Sequence, residues 1–227
     1  MVLRDLGAKV VEGDLNDKAS VEAALKGAYG AFLVTNFWDH FSKEKEVCQG
    51  KVVADVAKSQ GLKHVVYSGL ENVKRLTNGK LEVLHFDRKG EVEEYFWSIG
   101  VPMTSVRVAA YFENFLGPLK PVKASDGDYY TLEEFVGKAV GLSAEVLTIQ
   151  QDADVLSKSL GKEVRDAKIT PEAYEKLEFP GAKEMADMCR FYQMKPDRDI
   201  KLTHRLNPQV KSFSQFISEN QAALKSS

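Results

Sequence analysis

Long apolar runs are missing from this chain: no stretch approaches the roughly 20 residues that a membrane-spanning helix requires, so no such helix is expected. Cysteine is scarce. Cys48 and Cys189 stand far apart in 227 residues without an apolar signal segment, a pattern that favours free thiols in a reducing, intracellular compartment. The expected location is the cytoplasm, extending to the nucleus. The four histidines, His40, His64, His85 and His204, lack the spacing of metal ligands, and no metal is expected. No charge sign dominates either. With 31 Lys and Arg against 33 Asp and Glu, nothing in the overall balance draws the chain to nucleic acid or to an acidic membrane. Repeats and low-complexity segments are absent, and none of the 16 glycines falls into a G-x-G-x-x-G or G-x-x-G-x-x-G turn.

What is present is an alternation of short apolar runs with amphipathic segments. His64-Val65-Val66-Tyr67 and Met103-Thr104-Ser105-Val106-Arg107 are too short for helices and rich in β-branched residues, as buried parallel strands are. Between them, Val92, Phe96 and Ile99 recur at helical spacing over 89–99. Gly100 and Pro102 then stop the helix. Upstream, the pattern predicts a helical turn closed by Gly7, a strand at Ala8–Glu12, and a helix capped by Asn16 or Asp17. A strand at Ala31–Val34 follows, then a long helix from Ser42 to Gly61 with Val47, Val53, Val56 and Ala57 on one side. Such alternation implies a parallel sheet with right-handed crossovers. Ligands of these sheets sit beyond the carboxyl ends of the strands, which turns attention to Ser68–Glu71.

Beyond Arg107 the pattern changes. Gly117, Pro118 and Pro121 mark a loop, Thr131 with Glu134 reads as a capping box, and Thr170-Pro171 and Pro180-Gly181 each open a helix. Phe213, Phe216 and Ile217 form the apolar stripe of a short final helix. The expected fold class is α/β: an incomplete Rossmann-type parallel sheet in residues 1–108, with a small, mainly helical lobe in 109–227.

Five segments carry a specific resemblance: Gly13–Asp17, Val34–Trp38, Val65–Asn72, His85–Glu93 and Tyr111–Asn114. They resemble the NmrA-like branch of the atypical short-chain dehydrogenases, in particular its redox-sensing members, and the likeness covers nearly the whole chain. The resemblance implies a Rossmann domain, NADP(H) as cofactor, and a regulatory role exercised through protein partners. Carried over by position, it puts Asp14 and Leu15 near the adenine and Thr35, Asn36 and Phe37 along the cofactor. Lys89 would reach the nicotinamide ribose, and Tyr111, Phe112, Glu113 and Asn114 would lie beside the nicotinamide.

Two departures qualify that implication. The family pattern opens with a strand, a glycine-rich turn that holds the pyrophosphate at a helix N-terminus, a second strand and a basic residue for the 2′-phosphate. This sequence starts after those features, as a truncated product or isoform would, and the region between Tyr130 and Gly141 is shortened. NADP(H) binding is therefore expected to be weak. In addition, the superfamily's Tyr-x-x-x-Lys proton-transfer pair is replaced by His85-x-x-x-Lys89, with Ser68 the other candidate for acid–base work. Three readings compete: a non-catalytic NADP(H)-responsive regulator, an NADPH-dependent quinone reductase, and a cofactor-free interaction module. The doubly wound strand order also leaves the Phe32–Val34 strand without its usual neighbour. Either Val10 and Val11 are expected to pair with it, or a second copy is expected to share the edge as a homodimer.

Overall fold

The computed structural model describes residues 2–36, 43–108, 110–116, 120–132, 143–179, 181–194 and 198–225. The chain divides into two units, Met1–Thr77 with Leu84–Val106, and Asn78–Val83 with Arg107–Ser227.

The first unit runs α1 (Val2–Asp5), α2 (Lys18–Leu25), β1 (Gly30–Leu33), α3 (Lys43–Ser59), β2 (His64–Ser68), α4 (Val73–Leu76), α5 (Leu84–Ser98) and β3 (Met103–Val106). Its strands form a parallel sheet in the order β1-β2-β3, with Phe32 opposite Val66 and Val66 opposite Thr104. Each crossover helix starts and stops for a local reason. Asp17 caps α2 by accepting from the Ala19 amide, and Gly61 takes a left-handed φ of 65° just past α3.

The core lies on one face of this sheet. Leu33, Val65 and Tyr67 pack there with Val53, Val56 and Ala57 of α3 and Val92 and Phe96 of α5. Burying side chains of this size stabilises by about 1.5–3 kcal/mol each. The two helices meet where α3 has no side chain: a Cβ at Gly50 would come within 2.5 Å of both Val92 methyls. Among the described residues the opposite face is more exposed. Side chains alternate along a strand, and the residues that point the other way, Phe32, His64 and Thr104, are exposed, Phe32 at 70%. Parallel sheets are ordinarily covered on both faces, whereas Phe32 is exposed here.

Several expectations need correction here. Ala8–Glu12 is not a strand. Residues 8–14 are irregular, with Val10 and Val11 exposed, so they do not pair with β1, which remains a sheet edge among the described residues. A β-propensity run becomes a strand only by pairing, and among the described residues these have no partner strand. The α5 helix begins at Leu84, five residues before the expected start, and Phe86 in its first turn is buried. The short α4, capped by Asn72 accepting from the Arg75 amide, was not anticipated.

The second unit contains a 3-10 turn at Phe112–Leu116, then β4 (Val122–Lys123), β5 (Tyr130–Leu132), α6 (Ile149–Leu160), β6 (Val164–Asp166), α7 (Pro171–Tyr174), α8 (Ala182–Gln193), α9 (Ile200–Leu206), α10 (Phe213–Glu219) and α11 (Gln221–Lys225). Helices dominate it, but it also holds a mixed sheet in the order β4-β5-β6 that was not read from the sequence. Thr131 lies in β5, where its hydroxyl donates to the Val122 carbonyl, rather than capping a helix; Glu134 falls outside the described residues. The capping boxes are instead Thr148 with Gln151 and Ser212 with Gln215. Thr170 caps α7 with Pro171 in its first turn, as the sequence predicts. The core of this unit joins Phe115, Ile149, Leu156, Phe213 and Ile217.

Candidate functional site at the strand ends

The carboxyl ends of β1 and β2 bring together side chains from four elements. Thr35 follows β1, Tyr67 and Ser68 close β2, Glu46 sits in the first turn of α3, and Lys89 lies in the second turn of α5. The Lys89 ammonium is the hub. It donates to the Thr35 carbonyl at 2.8 Å, the Thr35 hydroxyl at 3.0 Å and the Ser68 carbonyl at 3.3 Å, and it pairs with Glu46 Oε1 at 3.4 Å. An ammonium has three N–H groups, so four acceptors already share them. The Thr35 hydroxyl in turn donates to Glu46 Oε1 at 2.7 Å and lies 3.4 Å from the Tyr67 hydroxyl.

Burial sets the electrostatics. The Lys89 side chain is 13% exposed and that of Glu46 not at all. Desolvation pulls the Lys89 pKa down, while the Glu46 charge and hydrogen bond hold it up. Tyr67 is pushed well above the usual phenol range, chiefly by burial, with the Thr35 hydrogen bond opposing and the Glu46 and Glu93 charges adding to the rise. The ammonium also stands 5.8 Å from the Tyr67 ring centroid, within cation–π reach. The second Glu46 oxygen is buried without a hydrogen-bond partner, so the carboxylate relies on one oxygen for its stabilisation.

Between β2 and β3 a second polar contact closes the row. The Ser105 hydroxyl donates to Glu93 of α5, and the Gly69 amide donates to the Val106 carbonyl at 3.1 Å. A side chain at Gly69 would collide with Ser105 and Glu93. Glycine here permits the close approach.

The chain matches the NmrA-like family over residues 1–134. It belongs to the NmrA-like family. It is 39% identical to NmrA-like family domain-containing protein 1 of Rattus norvegicus over 155 residues, 68% of this chain and 63% of that protein. It is 30% identical to NmrA-like family domain-containing protein DDB_G0286605 of Dictyostelium discoideum over 77% of this chain and 69% of that one. The chain thus spans less than two thirds of the length of the rat relative. In fold it is similar to NmrA, a negative transcriptional regulator, with a TM-score of 0.75 and 18% identity over 96% of this chain and 84% of that one. It is likewise similar to the NADPH-dependent quinone oxidoreductase QOR2 of Escherichia coli, solved with NADPH, with a TM-score of 0.73 and 19% identity over 96% and 85% of the two chains.

Within this NmrA-like chain the residues singled out from sequence divide into four sets. Thr35, Ser68 and Lys89 converge at the strand ends. Asn36 is exposed directly beyond them, and Phe37 falls outside the described residues. Asp14 and Leu15 form a turn before α2. The Asp14 carboxylate accepts from the Asn16 amide and side chain, bonds that lower its pKa, and the Asn16 side chain accepts from Gln49 of α3. Leu15 packs on the core. Tyr111, Phe112, Glu113 and Asn114 belong to the second unit. Tyr111 and Glu113 are exposed, the Asn114 amide donates to the Tyr111 carbonyl, and Phe112 stacks on Phe213 and Phe216. That packing gives Phe112 a structural duty of its own. His85 is half-buried, edge-on to Phe86 at 4.8 Å, and one helical turn before Lys89.

Sequence reading missed Glu46, Tyr67, Glu93 and Ser105. Glu46 carried a usable signal. Counting back from Ala57 and Val53 by helical steps reaches Gly50 and then Glu46, a carboxylate on the buried face of α3.

As for the fit to a dinucleotide, the strand ends offer a cation and hydroxyls suited to a ribose, but that cation is already shared among four protein acceptors. The sequence contains no glycine-rich turn for a pyrophosphate. The fit is therefore partial, confined to the ribose end.

Proposed function

We propose that this NmrA-like chain is a non-catalytic regulator that responds to NADP(H), binds it weakly, and acts through protein partners in the cytoplasm and nucleus. The observation that carries the reading is Lys89. It stands where a Rossmann-type sheet receives its ligand, yet its donors are committed to Thr35, Ser68 and Glu46. A ribose hydroxyl reaching Nζ must displace one of these, and the longest, to the Ser68 carbonyl, is the one to yield. When bound, the nicotinamide would supply hydride chemistry. Proton transfer to match it would fall to His85 or Ser68, since position 85 holds no tyrosine. The name of NmrA, a negative transcriptional regulator, supports the regulatory reading.

Calorimetric titration with NADPH and NADP tests it. Because a ribose hydroxyl must displace an acceptor that Lys89 already holds, the expected dissociation constant lies well above the low micromolar range. Binding at or below that range would refute the weak-binding reading. The reductase reading draws on the quinone oxidoreductase among its structural neighbours. It predicts steady NADPH oxidation with quinones, whereas the regulatory reading predicts none above background.

A further inference from the structure

We propose that Glu46 is a positioning residue for the ligand site: acting through Lys89, it fixes where the ammonium points and keeps it a cation for the ribose and phosphate groups of a dinucleotide. The inference rests on the NADP(H) reading and adds to it a residue that the family likeness did not supply.

Orientation comes first. A hydroxyl has one proton to donate. Thr35 gives its proton to Glu46 Oε1 at 2.7 Å, so a lone pair of Thr35 is what meets the Lys89 ammonium at 3.0 Å. The same carboxylate oxygen stands 3.4 Å from that ammonium. Hydrogen bonds therefore run one way, from Lys89 of α5 through Thr35 at the end of β1 to Glu46 of α3, and the carboxylate terminates the chain.

Charge is the second task. Burial disfavours the ammonium form of Lys89, and Glu46 opposes that pull by its charge and its hydrogen bond. The titratable groups around Lys89 are Glu46 from α3, Tyr67 from β2, and His85 and Glu93, one turn to either side on α5. Tyr67 stays neutral because burial raises it, and Glu93 accepts from Ser105 of β3. Glu46 is thus the carboxylate paired with the ammonium. Among the described residues its second oxygen has no hydrogen bond, and apolar residues of similar volume are often as stable as a buried ion pair. Stability alone gives a fold little reason to keep such a group; a site that needs a buried cation does.

The test titrates NADPH calorimetrically into the 227-residue chain, Glu46→Gln and Glu46→Asp at pH 7, 8 and 9. Glutamine keeps an acceptor for Thr35 and so isolates the charge. Between the ends of that range its affinity should fall about tenfold more than the parent's, since a lysine without its counter-charge loses its proton earlier. With no ligand present, carbon-13 resonance of the Lys89 ε-carbon, assigned through Lys89→Arg, should titrate at lower pH in Glu46→Gln than in the parent. Glu46→Asp restores a carboxylate and should move both readings back toward the parent. An affinity that runs parallel to the parent's at every pH, or an ε-carbon that titrates where the parent's does, overturns the proposal. If circular dichroism shows that Glu46→Gln does not fold, Glu46→Asp carries the comparison: its wider gap should still lower the Lys89 titration point, and an unchanged point overturns the proposal. A parent chain that takes up no NADPH refutes the cofactor reading and this inference with it, whereas a parent that binds beside a glutamine variant with the same pH profile refutes this inference alone.

Discussion

Removing the charge from one member of the Glu46–Lys89 pair should unfold the first unit more easily than removing both. At 3.4 Å and an effective dielectric constant near 20, the attraction amounts to about 5 kcal/mol before desolvation is counted. Glu46→Gln preserves the shape and an acceptor for the Thr35 hydroxyl, but leaves the ammonium buried without its counter-charge. Breaking such a pair costs about 3–5 kcal/mol. Deprotonation sets a ceiling, because the orphaned lysine can shed its proton at pH 7 for about 4.6 kcal/mol. Lys89→Met leaves the Glu46 carboxylate buried without its counter-charge and should cost about 3 kcal/mol. The double variant buries no charge and should recover about 2–3 kcal/mol of the summed losses. Urea unfolding at pH 7 measures all four species. Single losses below about 1 kcal/mol, or strict additivity, would refute the picture of a coupled buried pair.

Three further outcomes can be checked. Asp152 in α6 has its pKa raised to about 7, by burial first and then by the Glu145 charge; a carboxylate whose folded pKa exceeds its unfolded value loses stability as pH rises from about 4 to about 7. With its partial exposure discounted, Asp152→Asn should stabilise by about 1–2 kcal/mol at pH 8 and by clearly less at pH 5, and an equal gain at both pH values in thermal melts would count against this origin. His85→Ala should leave the NADPH oxidation rate with quinones at background, like the parent chain; turnover in the parent that vanishes in the variant would replace the regulatory reading with the reductase one. Thr148→Ala removes the capping box of α6 and should cost about 1 kcal/mol in chemical unfolding, where no change would mean that water satisfies the freed amide.

Residues buried against helices were readable from sequence, because their pattern and their environment agree. Val65 and Tyr67 alternate into the core, and Val53, Val56 and Ala57 line one face of α3. The reading failed where a segment's state depends on a neighbour. Val10 and Val11 have the composition of a strand, but β-structure needs a second strand, and none pairs with them among the described residues. The strands β4, β5 and β6 are two or three residues long, too short for any alternation. At the site, Thr35 and Lys89 were found through family likeness, and Ser68 through its place at the carboxyl end of a strand. The contact that unites Lys89 with Thr35 spans 54 positions, and no local pattern encodes it. Glu46 was locally visible as a charge on an apolar stripe, yet its meaning depends on a lysine from another helix.

The missing side chain at Gly50 works as an indexing notch. Val92 seats in it, so α5 can neither slide nor roll against α3 without driving a methyl group into backbone. Lys89 lies three residues before Val92, about 4.5 Å along the axis, while each residue of slippage would carry it about 1.5 Å and swing it by about 100°. Tolerance at the strand ends is therefore set at this helix crossing. A single added methyl there, Gly50→Ala, would misalign the ammonium from Thr35 and Ser68 while leaving every polar residue of the site in place.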